Sequence, residues 1–506
     1  MAECYLDILA ETIRNNWNQP ALTDFYLTED GNAQDTSRGN HYTYGEMYAE
    51  IVQVTDLLSN LGVRKGDHIA ICGANSAHWV IAYLAIAKMQ GVSVTVMHSL
   101  QPDEIARLVD FSDAKALFVD RELWPELKEQ SLSQVESVIA LEEWMVLRGE
   151  KISLPFGEEK EVGFPHQEPD NLAMICFTSG SSGMPKGVML SYRNINICNI
   201  INLYPKCENN NILSLFPYAH MSGLMYEIIS QLSMAKHINT FCSLRSVDAI
   251  NVSLKIVQPY AFASTPSLMR ELYKRYKENF INYLSSCCKF ILLGGASLDK
   301  ELAYEIIEKN LPISNGYGMS EAGTIISGST AEEYRFPSCG RVLIGNKVWV
   351  ASNGEILVKG ENVMLGYYKD PAATAQKIDK DGWLHTGDKG HLDEDGYLYV
   401  EGRLEQDIIV LPNGENIRPD NIESLINALP EVKESIVFAR DGKLVAIVVP
   451  QITDHKSPIT NTDLRRKILR SVNPQLPLFS QLYDVEITSE PLARTEKQTL
   501  KRYLYS

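Results

Sequence analysis

The feature of this 506-residue chain that most limits its fold is a repeated order of apolar strand, turn and helix. One unit is HIAICGANSAHWVIAYLAIAKMQG, residues 68–91, and another is KALFVDRELWPELKEQ, residues 115–130. This order is typical of a parallel sheet whose faces are covered by helices. A chain of this length is expected to form two or three domains, each with its own apolar core.

The second half of the chain has a different pattern. From Glu355 onward, short apolar segments alternate with turns, as in EILVKGENVMLGYY, which predicts antiparallel strands. Near the C-terminus, the helix candidates PDNIESLINAL and TDLRRKILRSV flank the strand KLVAIVVP. We therefore predict an α/β fold with a large N-terminal domain of helix-covered sheets, residues 1–404, that includes a β-rich subdomain over about 330–404. A small mobile α+β C-terminal lid domain, residues 405–506, would follow a boundary near Arg403.

Charge and cysteine content argue against several classes of protein. The formal net charge of −17 is unsuitable for a general nucleic-acid binder, which needs excess Lys and Arg. The nine cysteines are scattered without a CxxC pair, which favours reduced thiols in a cytoplasmic protein. The N-terminus lacks a signal-peptide pattern, and Lys88, Gln90 and Gly91 interrupt the most apolar window, so we expect no transmembrane segment. Peripheral membrane contact stays open.

The segment FTSGSSGMPKG, residues 177–187, has the composition of a polyphosphate-binding loop. Its glycines permit tight turns with inward-pointing amides, its hydroxyls add donors, and its lysine supplies a positive charge. Gly187 follows the lysine, so the segment is not a Walker motif. The alternative is a solvated Ser/Gly loop. The residues assigned to phosphate binding are Thr178, Ser179, Gly180, Ser181, Ser182, Gly183 and Lys186.

Three further motifs follow in order: KFILLGGAS, NGYGMSEAG and WLHTGDKGHLDEDGYLYVEGR. Together with the phosphate loop they resemble the adenylate-forming superfamily of acyl-CoA synthetases, luciferases and nonribosomal-peptide adenylation domains, along nearly the whole chain. LPNGENIRPDNIE, residues 411–423, is most similar to long-chain fatty-acid CoA ligases.

The resemblance implies a nucleotide site made from these motifs. Tyr317 would stack on adenine, because a tyrosine has a flat apolar face. Asn315 would meet the edge of the adenine ring. Ser320 would touch the AMP phosphate, and Glu321, a hard oxygen ligand, would hold magnesium. Asp388 would accept from the ribose hydroxyls. An ordinary Gly/Tyr turn is the alternative for NGYGMSEAG. The other residues implied are Gly294, Gly295, Ala296, Gly316, Gly318 and Arg403.

Two further positions concern the acid and the thiol. His220, in FPYAHMSG, would orient the acid or gate the pantetheine channel, or it is only a structural histidine at the start of a helix. The strand through Gly414 would border the pantetheine tunnel after the lid domain has rotated about a hinge, for which Glu405 is the candidate. GRLEQDII differs from the family's hinge pattern by one extra residue and by lacking its lysine.

The end of the chain departs from the family. The superfamily ends in a motif whose lysine bridges the acid and the α-phosphate, and here LARTEKQTLKRYLYS places Thr499 in that position. Lys497 is our candidate for the catalytic cation, and Lys501 is the second candidate. A basic, solvated tail without any catalytic lysine is the alternative.

The expected activity is that of an AMP-forming acyl-CoA synthetase. ATP, Mg²⁺ and CoA are the implied cofactors, and a carboxylic acid, in particular a fatty acid, is the implied substrate. Two alternatives remain: a ligase that passes the acyl group to a carrier protein, and a catalytically weakened protein that binds a nucleotide or acyl group.

Overall fold

The computed structural model of the protein describes residues 4–25, 39–150, 161–178, 185–195, 198–208, 210–241, 246–294, 303, 307–323, 325–404, 409–412, 415–451, 460–490 and 492. Within these residues, two large sheets and one smaller antiparallel sheet precede the C-terminal elements.

The N-terminal elements alternate between strands and helices, as the sequence predicts. They are α1 (Tyr5–Asn15), β1 (Pro20–Phe25), β2 (His41–Thr43), α2 (Tyr44–Asn60), β3 (His68–Cys72), α3 (Ala77–Lys88), β4 (Val92–Thr95), α4 (Pro102–Phe111), β5 (Ala114–Val119), α5 (Trp124–Leu127), β6 (Ser137–Ala140) and β7 (Val146–Arg148).

The central part continues the two large sheets. It contains β8 (Leu172–Thr178), β9 (Lys186–Ser191), α6 (Cys198–Ile201), β10 (Asn211–Ser214), a π-helix (Gly223–Ile229), α7 (Ser230–Ser233), β11 (His237–Phe241), α8 (Val247–Val257), β12 (Ala261–Ser264), α9 (Pro266–Cys287), β13 (Phe290–Leu293), β14 (Ile313–Tyr317), a 3₁₀-helix (Ser320–Ala322), β15 (Ser327–Gly328) and β16 (Arg341–Val342).

The remaining elements are mostly strands with antiparallel partners. They are β17 (Asn346–Val350), β18 (Glu355–Gly360), β19 (Gly366–Tyr367), α10 (Pro371–Lys377), β20 (Leu384–Leu392), β21 (Leu398–Arg403), β22 (Ile409–Val410), β23 (Asn416–Ile417), α11 (Pro419–Asn427), β24 (Val432–Arg440), β25 (Lys443–Pro450), α12 (Asn461–Val472), two 3₁₀-helices (Asn473–Gln475 and Leu478–Ser480) and β26 (Asp484–Ile487).

The two large sheets have parallel centres and antiparallel edges. One has the order β19-β9-β8-β4-β3-β5-β6-β7, and its strands from β8 to β6 are parallel. The other has the order β16-β15-β14-β13-β12-β10-β11-β1-β2, and its strands from β14 to β1 are parallel. The predicted α/β class is confirmed.

Helix α3 shows how the two sheets come together. Every residue of the helix is buried, which is typical of a helix with apolar neighbours on all sides. Its hydrophobic cluster includes side chains from β3 and β8 of one large sheet and from β10 and β11 of the other. Helix α3 therefore lies between the sheets and fixes their spacing.

Helix α3 has a defined beginning and a defined end, which separate it from the strands on either side. The Ser76 hydroxyl accepts from the Trp79 amide at 3.2 Å and caps the helix. Gln90 has a φ of 61°, which ends the helix before β4. No helix in the described ranges is long and apolar enough to cross a bilayer.

Some local predictions differ from the structure in extent. The helical part of KALFVDRELWPELKEQ is only the four residues of α5, which begins next to Pro125. β17, β18, β20 and β21 form the four-stranded antiparallel sheet expected from the turn-rich sequence. β24, β25 and β26 form a separate sheet, and a hydrophobic cluster joins it to α11 and α12.

Candidate functional site

The predicted phosphate loop begins and ends on one pair of antiparallel strands. Thr178, at the end of β8, pairs with Lys186, at the start of β9, and both are half-buried. The Thr178 hydroxyl lies 3.5 Å from the Lys186 carbonyl oxygen. The two ends of the loop are thus fixed by the sheet, whereas Ser179, Gly180, Ser181, Ser182 and Gly183 lie outside the described residues.

Next to this strand pair, Tyr367 contacts both the carboxylate of Glu321 and the ammonium group of Lys186. The Tyr367 hydroxyl donates to Glu321 Oε1 at 2.8 Å, and Lys186 Nζ lies 4.8 Å from the centroid of the Tyr367 ring. Burial, with the negative charge of Glu321, raises the pKa of Tyr367, so its phenol stays protonated. The structure therefore brings together the predicted phosphate ligand and the predicted metal ligand.

The 3₁₀-helix that carries Ser320 and Glu321 lies against β8, because both residues interact with the Cys176 thiol on that strand. Burial raises the pKa of the Cys176 thiol to about 12, and the charge of Glu321 adds to this rise. A hydrogen bond with the Ser320 side chain acts in the opposite direction. Ser320 and Glu321 are both half-buried, so they remain accessible to a ligand.

A second group joins Tyr317 to the ribose candidate. The Tyr317 hydroxyl donates to Asp388 Oδ2 at 2.6 Å, and Asp388 is 6% exposed. Asn315, at 9% exposure, donates from Nδ2 to the Ser338 carbonyl at 3.2 Å. The adenine and ribose candidates thus come from β14 and β20, two different sheets that meet here.

The glycines of these motifs leave room beside the strands. A Cβ on Gly294 would meet nothing within 4 Å, and one on Gly316 would make only ordinary contacts, the nearest at 3.4 Å from the Ser327 carbonyl. Gly318 is exposed. Arg403 pairs with Asp388 across β20 and β21, although its side chain is outside the described part of the chain.

His220 lies in a loop that is held at both ends. Its Nδ1 is 2.5 Å from the Ser222 hydroxyl, and its carbonyl accepts from the Leu224 amide at the start of the π-helix. The side chain is exposed, yet desolvation by surrounding protein lowers the pKa of its imidazole. Both interpretations of His220, as a site residue and as a helix-start residue, fit these contacts.

Three polar side chains hold the segment of residues 215–220. Glu227 Oε2 accepts from the Ser214 hydroxyl at 2.7 Å, and the carboxyl group accepts from two backbone amides of the segment, the closer at 2.9 Å from Phe216. Asn75 donates to the Phe216 carbonyl at 2.7 Å and accepts from the Tyr218 amide at 2.9 Å. The Thr95 hydroxyl donates to the Ala219 carbonyl at 2.9 Å.

A hydrogen bond joins the C-terminal elements to the N-terminal sheets. The Thr265 hydroxyl, at the start of α9, lies 3.4 Å from the carbonyl oxygen of Pro412. Pro412 follows β22, on the segment predicted to border the pantetheine tunnel. Several predicted site residues lie outside the described residues: Gly295, Ala296, Glu405, Gly414, Lys497, Thr499 and Lys501.

The residues present fit a magnesium ion shared with phosphates. Among the described residues, no group of three His, Cys, Asp or Glu side chains could hold a metal. Magnesium is commonly bound through one or two carboxylates plus substrate phosphates and water. Glu321, a half-buried carboxylate beside Lys186, suits that arrangement.

Sequence reasoning missed Tyr367 and Glu227. Tyr367 belongs to a two-residue strand, and its neighbours Glu321 and Lys186 are distant in sequence. Glu227 had a usable signal, because it is the one charged residue in the apolar run GLMYEIISQL. A lone acid in such a run must find hydrogen-bond donors when it is buried.

The sequence profile of the AMP-binding enzyme family matches residues 9–368. The profile of the AMP-binding enzyme C-terminal domain matches residues 406–505.

Relatives and solved structures match over most of their lengths. The chain is 28% identical to 4-coumarate–CoA ligase 3 from Arabidopsis thaliana, over 92% of this chain and 87% of that protein. It is 29% identical to 2-succinylbenzoate–CoA ligase from Geobacillus sp. (strain WCH70), over 79% and 80%. An amide bond synthetase from Marinactinospora thermotolerans has the same fold, with a TM-score of 0.81, 20% identity, and coverage of 100% of this chain and 99% of that chain.

Proposed function

Because the chain belongs to the AMP-binding enzyme family, we propose that it uses ATP to activate a carboxylic acid and passes the acyl group to CoA. The acid carboxylate attacks the α-phosphorus of ATP, and pyrophosphate leaves as the acyl-AMP forms. The thiol of CoA then attacks the acyl carbon, and AMP leaves as the thioester forms. AMP leaves readily, whereas the oxygen of a free carboxylate does not.

The observation that carries this proposal is the meeting of Lys186 and Glu321 on Tyr367, next to the strand pair that bears the phosphate loop. A lysine supplies a mobile positive charge to phosphate oxygens, and a carboxylate holds the magnesium that neutralises them. The Tyr317 hydroxyl lies 2.6 Å from Asp388 Oδ2, so the two residues offer an aromatic face suited to adenine and a carboxylate acceptor suited to ribose hydroxyls.

We propose that the acid has an apolar body. The segment after His220, residues 223–229, is wholly buried and supplies mainly apolar side chains beside the His220 loop. A fatty acid is the first class to test, as LPNGENIRPDNIE suggests. The substrates named for these two relatives are 4-coumarate and 2-succinylbenzoate, both with a benzene ring, so aromatic carboxylic acids form the second class.

The test is an assay of both half-reactions with a panel of acids. The protein is incubated with ATP, Mg²⁺ and fatty or aromatic carboxylic acids, and the release of pyrophosphate and AMP is measured with and without CoA. We expect acid-dependent pyrophosphate release and CoA-dependent formation of AMP and thioester. Omitting the acid is the background control.

Other results would separate the alternatives. Pyrophosphate release that CoA does not affect would favour a carrier-protein acceptor. Binding of ATP without turnover of any acid would favour a binding protein and would contradict the proposed activity.

A further inference from the structure

Tyr367 contacts two residues of the proposed site, although none of the recognised motifs contains it. Its hydroxyl donates to Glu321 Oε1 at 2.8 Å, and its ring lies 4.8 Å from Lys186 Nζ. The residue is 5% exposed, so both contacts are shielded from water. Shielding strengthens a hydrogen bond to a carboxylate and the attraction between a cation and an aromatic ring.

The backbone of Tyr367 is fixed independently of these contacts. It pairs with Val188 in β9, and its amide donates to the Thr374 hydroxyl at 2.8 Å. In the preceding segment, the Met364 amide donates to the Glu321 carbonyl at 2.9 Å. The stretch from Met364 to Tyr367 therefore holds both the backbone and the side chain of Glu321. It also pairs with β9, the strand that begins with Lys186.

We infer that Tyr367 is a positioning residue, which sets Glu321 for magnesium and Lys186 for phosphate before the nucleotide binds. This inference rests on the proposed function. A hydrogen bond to one carboxylate oxygen orients the other oxygen toward a metal, and such outer partners affect metal affinity strongly. The aromatic ring restricts a long lysine side chain that would otherwise sample many rotamers.

The chain offers a matched control at the next position. The Tyr368 hydroxyl donates to Asp113 Oδ2 at 2.7 Å, and Asp113 is an exposed partner on a different surface. Tyr367→Phe and Tyr368→Phe each remove one phenol hydroxyl from adjacent residues. Only the first removes a hydrogen bond to a predicted magnesium ligand.

We expect Tyr367→Phe to raise the magnesium concentration for half-maximal pyrophosphate release roughly 10- to 100-fold, as for other outer partners of metal ligands. Its ring remains, so the binding of ATP without magnesium should match wild type. Tyr367→Leu removes the ring as well and should weaken the binding of ATP without magnesium about two- to fivefold relative to wild type. Tyr368→Phe should keep the wild-type magnesium dependence.

A double variant separates positioning from a general effect on the fold. If Tyr367 acts through Glu321, adding Tyr367→Phe to Glu321→Gln should change the magnesium dependence little. The proposal is wrong if Tyr367→Phe and Tyr368→Phe have the same magnesium dependence, if the two effects in the double variant simply add, or if Tyr367→Phe yields no folded protein.

Calorimetric titration of magnesium-bound ATP needs no acid and therefore distinguishes two failures. If wild type binds this nucleotide but activates no acid, the proposed activity fails, and the comparison of the two phenylalanine variants still decides the role of Tyr367. If acid activation is intact and the variants bind equally, only the role of Tyr367 is contradicted.

Discussion

At the scale of single residues, Glu227 predicts how stability depends on pH. The side chain is 1% exposed, and desolvation raises its pKa from 4.5 to about 8, against the hydrogen bonds from Ser214, Leu215 and Phe216. As the pH rises from about 4.5 to about 8, the unfolded chain loses this proton while the native state keeps it. The contribution of Glu227 to stability is therefore full at low pH and is lost as the pH rises through its native pKa.

The variant Glu227→Gln removes this titration. We expect the free energy of unfolding of wild type, measured relative to Glu227→Gln, to fall across that range by about 1.4 kcal/mol for each unit of pKa elevation. Melting temperatures of both proteins at half-unit pH intervals measure the difference. Parallel curves across the range would contradict the raised pKa.

At the scale of elements, the π-helix and the His220 loop are packed too closely for a side chain at Gly223. A Cβ there would lie 2.2 Å from the Pro217 carbonyl oxygen, so Gly223→Ala must displace the loop or the helix. We expect a loss of about 1–3 kcal/mol in stability and a higher KM for the acid, because His220 moves with the loop. The KM for ATP should be unaffected.

Gly163→Ala is the matched control, since a Cβ on Gly163 meets nothing within 4 Å. Thermal unfolding and the KM values of both substrates measure the outcome for each variant. An unchanged KM for the acid in a destabilised Gly223→Ala protein would show that the loop does not contact the acid.

Other elements of the fold show what can be predicted from the sequence. The strand β3 and the helices α11 and α12 follow from local apolar patterns, and the structure has each of them. The partner of β19 could not be predicted, because its two residues pair with β9, which is far away in the sequence. The role of Tyr367 depends on that pairing, whereas the motifs of Lys186 and Glu321 are visible locally.

At the scale of the whole molecule, we expect the C-terminal domain to supply a cation to the reacting carboxylate. Thr499 stands where the family's lysine is expected, and Lys497 and Lys501 flank it. The contact between Thr265 and Pro412 places another part of the C-terminal domain against the N-terminal sheets. When a domain presents a different segment in each half-reaction, a substitution in one segment affects only one half-reaction.

We expect Lys497→Ala to slow pyrophosphate release with acid and ATP roughly 10²-fold, the size seen when one group that stabilises developing charge is removed. Thioester formation from synthetic acyl-AMP and CoA should be unchanged, since that step needs no charge at the α-phosphate of ATP. Lys501→Ala, made in the same tail, should leave both half-reactions at wild-type rates. Unchanged pyrophosphate release in Lys497→Ala would exclude this lysine, and a loss confined to Lys501→Ala would assign the role to the second candidate.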